Sequence, residues 1–350
     1  MMQPVPSRLE ATLERRIWGM RDLAPLFPDL TNQDPPLAEM WFSGPGCRLA
    51  SGPLAGRELK EAWREMPTEW RGTLCAADPE ISLLVKYIFA AEKLSIQVHP
   101  GDEYAAQHEA ARGGRGKTEM WHVLFARPGA ELMVNLRPGI TFAAFRAALE
   151  DGTIENLLVR VPAAAGDTLF VPPGTVHTIC GGVMMCEIQE QSDITYRVYD
   201  YKRKGPEGKE RPLHVRQALE VINFGEQMGD KVSPVAQAQR GLTIKYLAAC
   251  RYFATERWEF DGRIGAVTSP GSFTLLVFLS GAGRLEWGGQ GEPYGQNQVW
   301  FLPASLGAYQ IAAEESSVVL HTCVPDLEAY CRRLDGLGIP REEWSRIVHP

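Results

Sequence analysis

From residue 81 onward the chain breaks into short apolar runs: ISLLVKYIFA, LSIQVHP, TEMWHVLFAR, ELMVNLR, DTLFVPP, VMMCEIQEQ and ITYRVYDY. Most are bounded by Gly, Pro, Asn or Asp, the punctuation of strands joined by tight turns. After a polar stretch the pattern resumes with IKYLAACRYFATERWEF, SFTLLVFLSG, GRLEWGG, NQVWFLPA, AYQIAA and SVVLHTCV. One segment recurs. Residues 166–177 (GDTLFVPPGTVH) and 295–307 (GQNQVWFLPASLG) both read as a turn, an apolar strand, a proline and a second turn. Repetition of that kind predicts two successive units of similar, mainly β build. The 34 glycines and 25 prolines are scattered, as many short strands require, and 45% hydrophobic content suffices for buried cores.

Helical periodicity is confined to a few places. Leu59–Glu65 (LKEAWRE) places Leu59, Ala62, Trp63 and Met66 on one face. Ala143–Glu150 is a second helix, GDEYAAQHEAA a third opening at Asp102, and RPLHVRQALEVINF a fourth. Residues 225–241 are polar and weakly patterned and read as a link. The expected organisation is a first, chemistry-bearing unit over 1–230, a second unit over 231–325, and a helical tail over 326–350 docked by Trp344.

Charge narrows the partners. Lys and Arg total 36 against 43 Asp and Glu, a net charge of -7, so neither a nucleic-acid nor a membrane footprint is expected. An anionic small molecule would need a local cationic pocket. No run of 18 apolar residues suggests a membrane span, and the N-terminus lacks the apolar core of a signal peptide. Seven cysteines, odd in number and without a CxxC pair, point to reduced thiols and a cytoplasmic protein.

The densest chemistry lies in four residues. In LSIQVHP, strand alternation puts Ser95, Gln97 and His99 on one face and Ile96 and Val98 on the other. In KTEMW, Glu119 opens a strand whose same face carries Trp121 and Val123. A single histidine on a strand is more often a packed core residue than a ligand. However, Gly166, Pro172, Gly174 and His177 fit the cupin signature G-x5-P-x-G-x2-H, whose turn aims the histidine inward. Gln97, His99, Glu119 and His177 together make a mixed N/O donor set suited to Zn²⁺, one per chain, with room left for substrate. His108, His122, His214, His321 and His349 lack such context and are expected in solvent or core. The second repeat carries Gly307 where the first carries His177, so the second unit is expected to be metal-free and structural.

Around this set, Lys117 precedes Glu119 by two and would share its face if the strand began early. Glu187 and Gln189 share a face, and counting by two from Asp193 gives Thr195 and Arg197. By itself an Asp193–Arg197 pair would be an ordinary surface contact. The basic run YDYKRKGPEGKER is usually a solvated loop; beside an anion site, Arg203 could help hold a phosphate.

With those residues placed, the chain resembles the type I mannose-6-phosphate isomerases of the short bacterial kind. The resemblance rests on RIWG (16–19), AEMW (38–41), GPLAGREL (52–59), LSIQVHPGDEYA (94–105), GKTEMWHVL (116–124), VPPGTVHTI (171–179) and CEIQEQSDITYRVYDY (186–201). It departs over 39–52, which contains no histidine. The resemblance implies two cupin-type β-barrels (jelly rolls) in tandem, with helical additions on the N-terminal one. It implies a zinc-dependent interconversion of mannose 6-phosphate and fructose 6-phosphate through an enediol. It puts the metal on Gln97, His99, Glu119 and His177, and active-site roles on Ser95, Lys117, Glu187, Asp193 and Arg197, with Arg203 on the phosphate side. Glu187, Asp193 or a water could be the base. Two rival readings are a cupin isomerase of another phosphosugar and a non-catalytic sugar-binding cupin; a coupled assay with mannose 6-phosphate separates them.

Overall fold

The computed structural model describes residues 3–205, 208–225 and 229–350. Strands dominate, with seven short α-helices among the described residues, so the chain is mainly β. It divides into two compact units, one comprising 13–40 and 85–231, the other 1–12, 41–84 and 232–350.

The unit of residues 13–40 and 85–231 contains two sheets. The first has seven strands in the order Asp230–Lys231, Thr168–Val171, Glu119–Ala126, Val183–Glu190, Leu83–Ala90, Thr12–Met20 and Leu37–Trp41. The second has five, in the order Tyr196–Tyr199, Ile96–Val98, His177–Ile179, Glu131–Leu136 and Leu158–Pro162. Trp18, Ile88, Trp121, Val134, Leu169 and Ile179 form one buried cluster. A second cluster gathers Ile96, Val98, Phe145, Val176, Tyr196 and Ala218, and so includes side chains of three helices' worth of sequence: Asp102–His108, Phe142–Asp151 and Val215–Val221. These are the helices anticipated from periodicity. Ile96 and Val98 lie in this helix-side cluster, so alternation leaves Gln97 on the opposite face.

The other unit holds a nine-stranded and a four-stranded sheet. The segments 1–12 and 41–84, read from the sequence with the N-terminal half, cluster here with residues 232–350. The cause is non-local pairing: Ser7–Glu10 lies antiparallel between Val299–Leu302 and Arg48–Leu49. In the Leu59–Glu65 helix, Leu59, Ala62 and Trp63 are buried, and the Trp63 ring meets Phe273 edge-on at 5.4 Å.

Three further differences from the sequence reading have physical causes. Within the expected link, Asp230–Lys231 and Val235–Gln239 are strands, while 226–228 lie outside the described residues. Val235–Gln239 is an edge strand with only Val235 buried, so it shows no apolar periodicity. The long run from Ile244 to Phe260 folds back as two paired strands, Leu242–Cys250 and Ala254–Phe260. The tail holds the expected helices Leu327–Gly336 and Arg341–Trp344, with Trp344 buried and its indole donating to Asp335, but it ends in a strand, Val348–His349, parallel to Leu242–Cys250.

Candidate metal centre

Two ladders of the first unit aim the side chains. In the five-stranded sheet, Gln97 is flanked by His177 on one side and Arg197 on the other. Directly paired residues project from the same face, so the three side chains leave the sheet together. His99 follows immediately after that strand. The Pro172–His177 turn is tied to it: Gly174 donates its N–H to the His99 carbonyl at 2.9 Å. Gly174 sits at φ +80°, and a Cβ there would lie 2.9 Å from the Val221 carbonyl, so this position excludes side chains. In the seven-stranded sheet, Glu119 pairs with Gln189 and Trp121 with Glu187. Trp121 donates its indole N–H to Glu119 Oε2 at 3.2 Å, as expected for residues sharing a face.

These faces converge. One ligand atom each from His99, Glu119 and His177 lies within 4.8 Å of the others, and all three residues are buried. His99 Nε2 is 3.3 Å from Glu119 Oε1, and His177 Nε2 is 3.7 Å from Glu119 Oε2. Gln97 brings its amide nitrogen 3.3 Å from His177 Nε2 while its oxygen accepts from Ser95 Oγ at 3.3 Å.

The protonation pattern favours a cation at the centre. His99 Nδ1 donates to the Ile194 carbonyl at 2.8 Å and His177 Nδ1 to the Thr175 carbonyl at 2.9 Å. Each ring therefore turns an unprotonated Nε2 lone pair toward a carboxylate, the arrangement by which backbone carbonyls orient metal-binding histidines. Burial holds both imidazoles neutral, lowering His99 and pushing His177 down to about 3. Burial also opposes ionisation of Glu119, but the Lys117 ammonium outweighs it and holds the carboxyl well below its usual range. Lone pairs facing a carboxylate repel unless a positive charge lies among them. The Lys117 ammonium supplies one here, 2.5 Å from Glu119 Oε1 and 3.3 Å from His99 Nε2. The donor set thus fits a divalent ion of the zinc type.

Lys117 reaches the cluster although its strand begins only at Glu119; its backbone N–H is anchored to the Pro100 carbonyl at 3.0 Å. Glu187 lies 4.0 Å from Lys117 and 2.7 Å from Lys86, and burial together with the Glu119 charge raises its pKa. Lys86 belongs to none of the sequence motifs. It interrupts LLVKYIFA, a strand buried at every position, and a lone lysine in such a run is the signal that could have identified it.

Other expected residues are placed differently. Asp193 is exposed and pairs with Arg112 at 3.2 Å, not with Arg197, because residues 192–195 bend out of strand geometry. Arg197 donates through Nη1 to the Pro212 carbonyl at 2.9 Å. Burial and the neighbouring Arg211 depress its pKa. Arg203 is engaged by its own chain, donating to the Lys93 carbonyl at 2.5 Å and to Asp200 Oδ1 at 2.5 Å. Arg211 takes the same carboxylate at 2.6 and 2.7 Å. Two guanidinium groups share one carboxylate, leaving a local cation excess. Residues 206–207 of the same loop lie outside the described residues. His122 is buried against Thr168, at 2.9 Å. His321, expected to lack partners, stacks on Trp258 at 4.6 Å.

Comparison with known proteins agrees with this geometry. Residues 7–120 match the family described as phosphomannose isomerase type I, catalytic domain. The chain is 33% identical over 321 residues to a Bacillus subtilis protein named probable mannose-6-phosphate isomerase GmuF, covering 90% of this chain and 99% of that one. It is 31% identical to the mannose-6-phosphate isomerase ManA of the same organism, covering 91% and 100%. A crystal structure of mannose 6-phosphate isomerase from Bacillus subtilis superposes with a TM-score of 0.82 at 27% identity, covering 91% of this chain and 99% of that chain.

Proposed function

The chain belongs to the mannose-6-phosphate isomerase family, and on that premise we propose that it is a zinc-dependent aldose–ketose isomerase interconverting mannose 6-phosphate and fructose 6-phosphate through an enediol. The observation that carries the reading is the buried convergence of two imidazole lone pairs and a carboxylate beside two lysines and a second carboxylate. His99, Glu119 and His177 would hold the metal, with Gln97 as a fourth donor once its terminal amide turns the oxygen inward. Zinc held there would act as a Lewis acid on the sugar's carbonyl and hydroxyl oxygens and lower the barrier to enediol formation.

The remaining steps fall to side chains. Isomerisation transfers a proton between C2 and C1, and Glu187 is our candidate base. It is buried, burial and the Glu119 charge raise its pKa, and Lys86 stands against it to balance charge as the proton moves. Lys117 would donate to an oxygen of the intermediate. Asp193, paired with Arg112 at the surface, would act by ordering the bend that leads to Arg197. Arg197, in register with Gln97, would meet the developing charge or the phosphate, supported by Ser95 and the Arg203–Arg211 pair. We read the sheet pairs of the two units as cupin-type barrels, the one of 13–40 and 85–231 being catalytic and the other metal-free.

No described helix is long and apolar enough to cross a membrane. All seven cysteines are free thiols, which supports a cytoplasmic setting. The test is a coupled assay with mannose 6-phosphate beside metal analysis of the same sample. Stoichiometric zinc with turnover is expected. Zinc without turnover of mannose 6-phosphate would contradict the proposed reaction and favour another phosphosugar or a binding role.

A further inference from the structure

Behind the metal centre lies a second pair of acids that the proposed reaction does not use. Glu190 closes the Val183–Glu190 strand and is 4% exposed. Its Oε1 accepts from the Thr118 N–H at 2.7 Å, and its own N–H donates to the Thr118 carbonyl at 3.2 Å. Asp102, first residue of the Asp102–His108 helix, accepts from the Gly116 N–H through Oδ1 at 2.8 Å. The two carboxyl groups face each other closely enough to share a proton.

Between them runs a segment held at every residue. Ser192 Oγ donates to the Arg115 carbonyl at 3.1 Å, Gly116 N–H goes to Asp102, Lys117 N–H goes to the Pro100 carbonyl, and Thr118 N–H goes to Glu190. Gly116 lies so close to the helix start that a Cβ would stand 2.6 Å from the Asp102 nitrogen. This segment delivers Lys117 and then Glu119, so a small displacement of its backbone moves both groups at the centre.

We propose that Asp102 and Glu190 are positioning residues: a hydrogen-bonded pair of carboxyl groups that clamps Arg115–Thr118 and thereby fixes where Lys117 Nζ and the Glu119 carboxylate stand. An acid–acid hydrogen bond needs one proton between two carboxyl groups. Burial, reinforced by Asp102, pushes the Glu190 carboxyl up to about 8, which keeps that proton in place near neutrality. The groups facing Glu190 are Asp102 from the helix and the Thr118 main chain from the loop. The inference rests on the isomerase reading only for its consequence in turnover; the clamp is a property of the folded chain.

The experiment is amide hydrogen exchange on metal-free protein, read on peptides spanning 110–121, for wild type, Glu190→Ala, Asp102→Ala and Glu190→Gln, with kcat and KM measured on the zinc-loaded forms. Glu190→Ala and Asp102→Ala should each speed exchange at Thr118 and Gly116 about tenfold by removing the acceptors that protect them. In the same variants kcat should fall about tenfold or more with KM and zinc content little changed, because the catalytic groups are misplaced and not removed. Glu190→Gln, which can accept from Thr118 and donate to Asp102, should restore both readings to within about twofold of wild type. Unchanged exchange in both alanine variants would overturn the clamp. If either alanine variant fails to fold, exchange accelerated about tenfold over wild type in Glu190→Gln would overturn it as well. Exchange is read without turnover, so wild-type protein inactive on mannose 6-phosphate would sink the reaction and leave the clamp to be judged on exchange alone.

Discussion

Each unit encloses a buried glutamate bonded to the tryptophan two residues on, and the two differ in what neutralises the charge. In the first unit, Trp121 donates to Glu119 at 3.2 Å; in the second, Trp258 donates to Glu256 at 2.8 Å. A histidine accompanies each indole: His177 meets Trp121 edge-on at 5.2 Å, and His321 stacks on Trp258 at 4.6 Å. Around Glu119, two imidazole lone pairs converge with the movable ammonium of Lys117. Around Glu256, Arg333 of the Leu327–Gly336 helix binds the carboxylate at 2.7 Å. A guanidinium is permanently charged and held by packing, so that position has no place for an exchangeable cation. The same strand pattern thus yields a centre that can accept a metal in one unit and a closed ion pair in the other.

The largest effect should separate the two histidines. His177→Ala should lose bound zinc and at least about a thousandfold in turnover, because a metal ligand and the alignment it gives disappear together. His321→Ala should keep both, so metal analysis with the coupled assay on the two variants either sharpens the comparison or breaks it. Arg197→Ala comes next. Loss of a charged contact to the phosphate or developing charge, about 1.5–3 kcal/mol, should lower kcat/KM by about 10- to 100-fold with zinc content intact. An unchanged kcat/KM would remove Arg197 from the substrate site.

The closed site should respond in stability. Arg333→Met leaves Glu256 buried at 2% side-chain exposure without its counter-charge. A cost of about 2 kcal/mol is expected, below the 3–5 of fully buried pairs because the Arg333 side chain is 47% exposed. Thermal unfolding should show the loss while activity per folded molecule stays constant. Adding Glu256→Gln should recover much of it, and a failure to do so would mean that Glu256 is not the group left uncompensated.

The smallest effect concerns pH. In the unfolded chain Glu190 ionises near the ordinary carboxylate value of about 4.3, whereas in the fold it does so only near 8. Between those values the unfolded state binds fewer protons, so this group's contribution to stability falls as pH rises and levels off above about 8. Glu190→Gln removes the dependence. Its Tm relative to wild type should climb between pH 5 and 8; a constant offset would place the Glu190 titration elsewhere.

The legible parts of this molecule were those encoded by local pattern. Alternation in LSIQVHP placed Gln97 and His99 on one face, and the glycine and proline spacing before His177 announced a turn that the fold ties to His99 through Gly174. Helices with an apolar stripe, such as Leu59–Glu65, were equally visible. What escaped depends on distant partners. Ser7–Glu10 belongs with Val299–Leu302 because of a ladder that no local pattern reveals. Val235–Gln239 is held as a strand by its neighbour despite its polar surface. Asp193 and Arg203 carry the expected charges, but their partners, Arg112 and Asp200, were set by backbone bends that counting by two does not follow.

Zinc titration of chelated protein, with bound metal and mannose 6-phosphate turnover measured on the same samples, tests the central claim most directly when repeated on Glu119→Gln. The account predicts one zinc per chain with activity rising in proportion, and neither in the variant, whose side chain keeps the volume but not the charge. Full turnover without zinc, or stoichiometric zinc in Glu119→Gln, would contradict it.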